Sequence, residues 1–306
     1  MTIERHPVTD RKSWLAMRRD FLTASDVPAV AGVDPYKSAL RVYAEKVGLV
    51  PDIVENAAMK RGRLFEGAAL EYLAEDHPRW TIERPAIFIT DDIDRLGCTP
   101  DAFITDETGK FLNVQIKTIN RHSFDRWNGH APLGYQLQVV CENMLTGADR
   151  GILAVLVVSA YDADLKLFDV PRHEAAEDRI RQIALEFWDR VASGRRPDPD
   201  YAKDADVIET LFPRQDPGTV LDLSGDNRLA KILPQREDLK DTIDGARKEL
   251  EALDAEVKFK LGDAETAELP GWRLTWKEEY RKAYTVEEST RRVLRVKQIE
   301  NKEQAA

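Results

Sequence analysis

The stretch "NVQIKT", residues 113–118, alternates in polarity, so that as a strand it puts Asn113, Gln115 and Lys117 on one face and Val114 and Ile116 on the other. One hairpin earlier, "CTPDAF" places an acid at Asp101, and the turn-rich "DETG" joins the two pieces. A carboxylate, an amide and an ammonium brought together in this way suit metal-assisted phosphodiester hydrolysis. Mg²⁺ takes hard oxygen ligands and keeps waters and phosphate oxygens in its shell, and a bound metal lowers the pKa of a water and offsets charge on the scissile phosphate. Lys117 would orient that water and balance the developing negative charge. The chemistry asks for an acid where Gln115 stands. An amide oxygen ligates without bringing charge, so weaker metal binding is expected unless Glu66 or the DNA phosphate compensates.

The elements that must hold these groups are legible around them. Residues 56–76, "NAAMKRGRLFEGAALEYLAED", have helical spacing with Glu66, Ala69, Leu70 and Leu73 on one stripe. An acid there occupies a core position, which is costly without a partner; the alternative is a helix-edge Glu solvated by rotation of the stripe. Strands are predicted at "TIERPAIFIT", "GCTPDAFIT" and "KFLNVQIKT". A helix follows in "PLGYQLQVVCENMLTG", opened by Pro132 and closed by Gly147, with Leu133, Leu137, Val140, Cys141 and Met144 as its apolar face. Two strands, "GILAVLVVSA" and "DLKLFDV", and a helix, "EAAEDRIRQIALEFWDRVASG", complete the series. Upstream, short helices are predicted within 11–49, with Ser25 or Thr23 capping the second. The order implies an α/β (α+β) fold, a central mixed β-sheet flanked by helices.

The composition shifts at "GRRPDPDYAKDAD" to the proline and charge content of a linker. This predicts a core over 1–197, a linker or surface wrap over 198–235, and a C-terminal segment over 236–306. In that segment Leu239, Ile243, Ala246, Leu250, Leu253, Val257 and Leu261 recur at spacings of three and four. Such a seam fits a coiled-coil arm or a docked helix or short hairpin, and docking or a hairpin is the expectation. The tail "GWRLTWKEEYRKAYTVEESTRRVLRVKQ" interleaves basic and aromatic residues, as a nucleic-acid grip or an amphipathic hairpin over a sheet edge would.

A chain of 306 residues, 42% hydrophobic, can bury a sizeable core. Its net charge of -10 argues against a surface that coats nucleic acid, yet leaves room for a local basic channel. Basic residues gather in "RKSWLAMRR" (11–19) and "KRGR" (60–63), which composition alone reads as solvated helix faces. Cys98 and Cys141 are too few for a disulfide scaffold or an iron-sulfur cluster. No apolar run approaches the roughly 20 residues of a membrane span, and the first residues lack a signal peptide's apolar core. The expected setting is the cytoplasm of a bacterial host cell.

Five pieces, in order across roughly residues 14–147, resemble the phage lambda exonuclease and YqaJ-type viral recombinase family of the PD-(D/E)xK nuclease superfamily. They are Trp14, Arg18, Thr23 and Ser25 followed by Gly32; "RGRLFE" with Glu66; "CTPDAF" with Asp101; "VQIKT" in place of the acid-x-Lys strand; and Tyr135 with Gln138 in "YQLQ". The resemblance implies a restriction-endonuclease-like core with Glu66, Asp101, Gln115, Lys117 and Gln138 as catalytic residues. Of these, Asp101, Gln115 and Glu66 would hold Mg²⁺, with Mn²⁺ as a substitute. Arg18 and Ser25, supported by Thr23, would hold the 5'-phosphate of a DNA end, and Tyr135 belongs with the DNA-binding residues. It further implies 5'-to-3' digestion of linear double-stranded DNA that leaves 3' single strands for an annealing protein, and a homo-oligomer in the form of a trimeric ring. His122 and His130 follow the site and read as surface-loop residues rather than general bases.

Gln115 is the departure from the pattern, and three alternatives stand beside the exonuclease reading. One is a structure-specific or single-strand endonuclease on the same fold. Another is a DNA-end binding or adaptor protein in which Gln115 has silenced catalysis. The third is a structural partner protein, supported by the acidic surface and the heptad seam. The resemblance says little about residues 198–306.

Overall fold

The computed structural model of the chain describes residues 2–51, 55–283, 285 and 288–297. The chain divides into two units, 1–212 and 213–306. The first opens with β1 (Ile3–Pro7), α1 (Arg11–Asp20), β2 (Leu22–Thr23), α2 (Val27–Val30), α3 (Ala39–Lys46) and α4 (Ala57–Asp76). Four short strands follow, β3 (Thr81–Glu83), β4 (Ile87–Asp91), β5 (Leu96–Cys98) and β6 (Ala102–Thr105), and then the long β7 (Phe111–Asn120). After α5 (Arg121–Asp125) and α6 (Leu133–Thr146) come β8 (Arg150–Val158), β9 (Ala163–Pro171), α7 (Glu174–Ala192) and α8 (Ala205–Leu211).

Five strands form the central sheet in the order β3-β6-β7-β8-β9, and β1-β4-β5-β2 form a second, smaller sheet. The central sheet is mixed: β7 and β8 run parallel, while β6 and β9 pair antiparallel on either side. A parallel pair needs a crossover, and α5 with α6 supplies it. Alternation along the strands then sorts the faces. Val114, Ile116, Ile152, Ala154 and Leu156 pack with Ala69 and Leu73 of α4. Leu153, Val155 and Val157 pack with Val139, Val140 and Met144 of α6 and with Ile180 and Phe187 of α7. Each large aliphatic side chain buried this way contributes about 1.5–3 kcal/mol relative to exposure.

The α+β class and mixed sheet are as the sequence implies, but two predicted strands divide. "TIERPAIFIT" becomes β3 and β4, and "GCTPDAFIT" becomes β5 and β6, with the halves in different sheets. Pro85 and Pro100 stand at the breaks, where a residue without an N–H cannot continue a ladder. The expected cap of α2 also differs: Asp26 takes the N-cap position, and the hydroxyls of Thr23 and Ser25 bond elsewhere. In α6 the ends are as read, with Pro132 at the N-cap and Gly147 in the left-handed conformation at φ 74°. Leu133, expected on the apolar face, is exposed, because the buried part of α6 begins at Gln138. There α6 comes so close to β8 that a β-carbon at Gly151 would collide with Val139 and Asn143.

The first unit continues past residue 197 to Phe212. The charged segment read as a linker is tied down by its own acids: Ser38 donates to Asp204, Arg41 pairs with Asp206, and Val207 is buried with Leu40, Ala44 and Val50. The second unit holds α9 (Leu229–Leu261) and a hairpin of β10 (Thr266–Leu269) and β11 (Trp272–Thr275). α9 is one helix rather than a helical hairpin, and Leu239, Ile243, Leu250 and Leu253 of its seam are exposed. Of the predicted tail only Trp272–Thr275 is a strand, and it pairs with Thr266–Leu269, which precedes the tail; the tail's other described residues form no strand, and Tyr284, Val286, Glu287 and Gln298 lie outside the described residues. No helix among the described residues is long and apolar enough to cross a membrane.

Candidate active site

The register of the β6–β7 pair sets Asp101 against the polar face of β7. Ala102 pairs with Val114, so Asp101, one residue before, comes opposite Gln115. Its Oδ2 accepts the Ile116 N–H at 2.7 Å and an N–H of the Gln115 amide. Burial pushes the Asp101 carboxyl up to about 6; Lys117 and the Ile116 N–H oppose the rise, and Glu66 reinforces it. Glu66 reaches the same neighbourhood from α4, one turn before the buried Ala69 and two before Leu73, and remains about one-quarter exposed with Arg84 donating to it at 2.6 Å. Burial also raises the Glu66 carboxyl, against the pull of Arg84, Arg63 and Lys117.

On the α6 side of β7, Asn113, Gln115 and Lys117 meet Gln138 and Glu142, two acceptor-bearing side chains one turn apart. Lys117 Nζ donates to Gln138 Oε1 at 3.0 Å, and Gln138 Nε2 donates both to Gln115 Oε1 at 2.7 Å and to Glu142 Oε1 at 2.9 Å. Asn113 Nδ2 donates to the other Glu142 oxygen at 3.0 Å. The direction of this chain is fixed at its Lys117 end, because an ammonium has only donors. Gln138 must therefore turn its oxygen to Lys117. Gln115 in turn gives its oxygen to Gln138 and its N–H to Asp101, where an acid would have presented a second negative oxygen. Burial lifts the Glu142 carboxyl to about 8; the Asp101 charge adds to this, while Asn113, Gln138 and Lys117 lower it.

A second polar cluster lies at the end of α1. Arg18 donates to Ser25 Oγ at 3.0 Å and to Thr23 Oγ1 at 3.3 Å, and its guanidinium lies over the Trp14 ring at 4.7 Å. Beneath it, the buried Asp26 takes Thr23 Oγ1 at 2.6 Å, Lys46 at 2.7 Å and Lys37 at 2.8 Å. Burial would raise the Asp26 carboxyl, but Lys37, Lys46 and Arg18 hold it well below the usual range. Lys37 also pairs with Glu45 at 2.6 Å, so one guanidinium and two ammoniums face two acids, and with two hydroxyls alongside the cluster keeps a single positive charge in surplus for an anion. Trp14 Nε1 donates to Thr99 Oγ1 at 3.0 Å, which braces α1 against the loop that carries Asp101.

The structure thus joins Glu66, Asp101, Gln115, Lys117 and Gln138 in one place and Arg18, Thr23 and Ser25 in another. Tyr135 stands at the first, its ring 5.3 Å from Lys117 Nζ. His122 and His130 are exposed. Sequence reasoning missed Asp26, Lys37 and Lys46, and it missed Glu142, although the i, i+4 spacing from Gln138 puts both on one face of α6. Among the described residues no three His, Cys, Asp or Glu side chains converge as a metal cage. The donors present are the carboxylates of Asp101 and Glu66 with amide and backbone oxygens. That set does not suit Zn²⁺, but it fits Mg²⁺, which is held by one or two carboxylates with water and phosphate. A buried carboxyl with its pKa pushed up, as at Asp101, is one whose charge an added cation would offset.

A sheet that carries Lys117 on β7 and Asp101 just before the neighbouring β6, with Glu66 brought in from a flanking helix, defines a restriction-endonuclease-like fold. Residues 13–149 match the YqaJ-like viral recombinase domain, so the resemblance seen in the sequence holds over that segment. Similar proteins include the uncharacterized protein YqaJ of Bacillus subtilis (strain 168), 23% identical over 87% of this chain and 83% of the relative. Among solved structures, the alkaline exonuclease LHK-Exo from Laribacter hongkongensis is similar in fold, with a TM-score of 0.51 and 18% identity over 65% of this chain and 99% of that one. The same enzyme in complex with dAMP matches equally.

Proposed function

We propose that the chain is a Mg²⁺-dependent deoxyribonuclease of phage recombination type, which digests linear double-stranded DNA from a 5'-phosphorylated end and leaves a 3' single strand. The observation that carries this reading is the closeness of Asp101, at the start of β6, to Lys117 on the neighbouring β7, near enough for the ammonium to pull the carboxyl down. One is a carboxylate whose charge calls for a cation; the other is an ammonium anchored but not neutralised by an acid, since its partner is the Gln138 amide oxygen. A divalent cation bound there supplies Lewis acidity and a water of lowered pKa. Asp101, Glu66 and the second lone pair of the Gln115 oxygen would hold it. Lys117 would orient the attacking water and balance charge on the phosphate, and Gln138 holds Lys117 in place. The Arg18, Thr23 and Ser25 cluster would grip the terminal phosphate, supported by Lys37 and Lys46 through Asp26. A single-strand annealing protein as user of the product and a ring of subunits around the DNA belong to the same proposal.

The direct test is incubation with end-labelled linear duplex, with and without Mg²⁺, against 5'-hydroxyl ends and a closed circle. Mg²⁺-dependent loss of nucleotides from phosphorylated linear ends supports the reading, and binding of ends with no cleavage sinks it in favour of a recognition module. Arg18→Ala should reduce the preference for phosphorylated over hydroxyl ends by roughly tenfold or more, the scale of one or two charge-assisted hydrogen bonds. An unchanged preference in competition digests would remove Arg18 from the phosphate role.

A further inference from the structure

Glu142 is 1% exposed, and the ion pairs among the described residues give it no Arg or Lys partner. Two amides are committed to it instead, and one of them, Asn113, is left with a buried Oδ1 that has no hydrogen-bond partner. A core position filled only for packing would be served more cheaply by an apolar residue, since a buried acid and an unsatisfied amide oxygen both cost stability. The carboxylate lies two hydrogen bonds from each functional end of the site: through Gln138 to Lys117, and through Gln138 to Gln115, the strand position that carries an amide where the chemistry calls for an acid.

We propose that Glu142 supplies from α6 the carboxylate that position 115 lacks, acting as a positioning residue. It turns the Gln138 amide so that one end holds Lys117 and the other holds Gln115, and a divalent cation beside Asp101 draws it into its ionised form, whose charge then helps to hold that cation. The proposal rests on the cation-dependent reading above. It places no bond between Glu142 and the cation, and it predicts that residues 115 and 142 share one role.

The test is titration of Mn²⁺ into the full chain by calorimetry, without DNA, for the wild type, E142Q, Q115E and the double variant. E142Q should weaken Mn²⁺ binding by about fivefold or more when residue 115 is Gln, and by less than about twofold when it is Glu, because neighbours that share a role are not additive. Equal losses in both backgrounds would mark Glu142 as merely structural, and no loss beside Gln115 would overturn the proposal outright. Wild-type protein that is folded yet binds no Mn²⁺ would sink the functional reading and this proposal together, whereas wild-type binding unchanged by E142Q sinks this proposal alone. Thermal unfolding of each empty chain checks its fold. Should E142Q alone not fold, Q115E and the double variant decide: binding within about twofold of each other supports the shared role, and a larger loss in the double variant rejects it.

Discussion

Lys117→Ala is expected to lower DNA cleavage by roughly 10²–10⁴-fold while leaving the melting temperature within a few degrees of wild type. The large catalytic effect follows from placement. Lys117 is a cation close enough to lower the pKa of both Asp101 and Glu66, so it faces the ground where negative charge would build on a phosphate. The small structural effect follows from its contacts: one amide oxygen and the face of Tyr135, with no ion pair to strand among the described residues. Single-turnover digestion separates chemistry from binding. A variant that cleaves at the wild-type rate would show that the site lies elsewhere, and one that loses activity only by unfolding would reduce Lys117 to a structural residue.

The second large effect concerns stability. In the folded chain burial lifts the Glu142 carboxyl from 4.5 to about 8. The folded state therefore binds this proton more tightly than the unfolded chain, and by linkage stability falls as pH rises from about 4.5 towards 8. Glu142→Gln removes that penalty. The metal-free variant should gain on the order of 2–4 kcal/mol over wild type at alkaline pH, seen as several degrees in thermal unfolding, and the gain should shrink to near zero by about pH 4.5. A gain that does not vary with pH would mean that Glu142 does not titrate with folding, and a loss at every pH would mean that its hydrogen bonds outweigh its desolvation. Asp101, pushed up to about 6, adds a smaller fall in the same direction over a lower pH range.

The parts of the fold that the sequence revealed are those governed by period and punctuation. The helix of Glu66, the polar face of β7 and the Pro132-to-Gly147 bounds of α6 could all be read because apolar spacing and turn residues agreed. What was hidden depends on partners far along the chain. Nothing in "TIERPAIFIT" says that its two halves join different sheets beyond a proline in its middle. Nothing near Asp204 announces Ser38 as its partner, so the sequence leaves open whether the segment is a linker or a surface wrap. In the site, Glu66 and Asp101 were legible because the chemistry asks for acids at those places, whereas Glu142 escaped because its partners are amides and its work runs through Gln138. Asp26 escaped for a related reason: its value lies in two lysines, 11 and 20 residues on, that only the fold gathers.

Gly151 gives the site an unseen dependency. The height of α6 above the sheet is set where a strand residue offers only hydrogen, beneath Val139 and Asn143. Gln138 and Glu142 are each the immediate chain neighbour of one of those two residues. A methyl group at 151 would act as a shim: it would lift the helix that spaces the amides from Lys117 and detune the site without touching any residue in it. The tolerance of the chemistry is therefore held where the helix lies against β8, by a residue with no functional group.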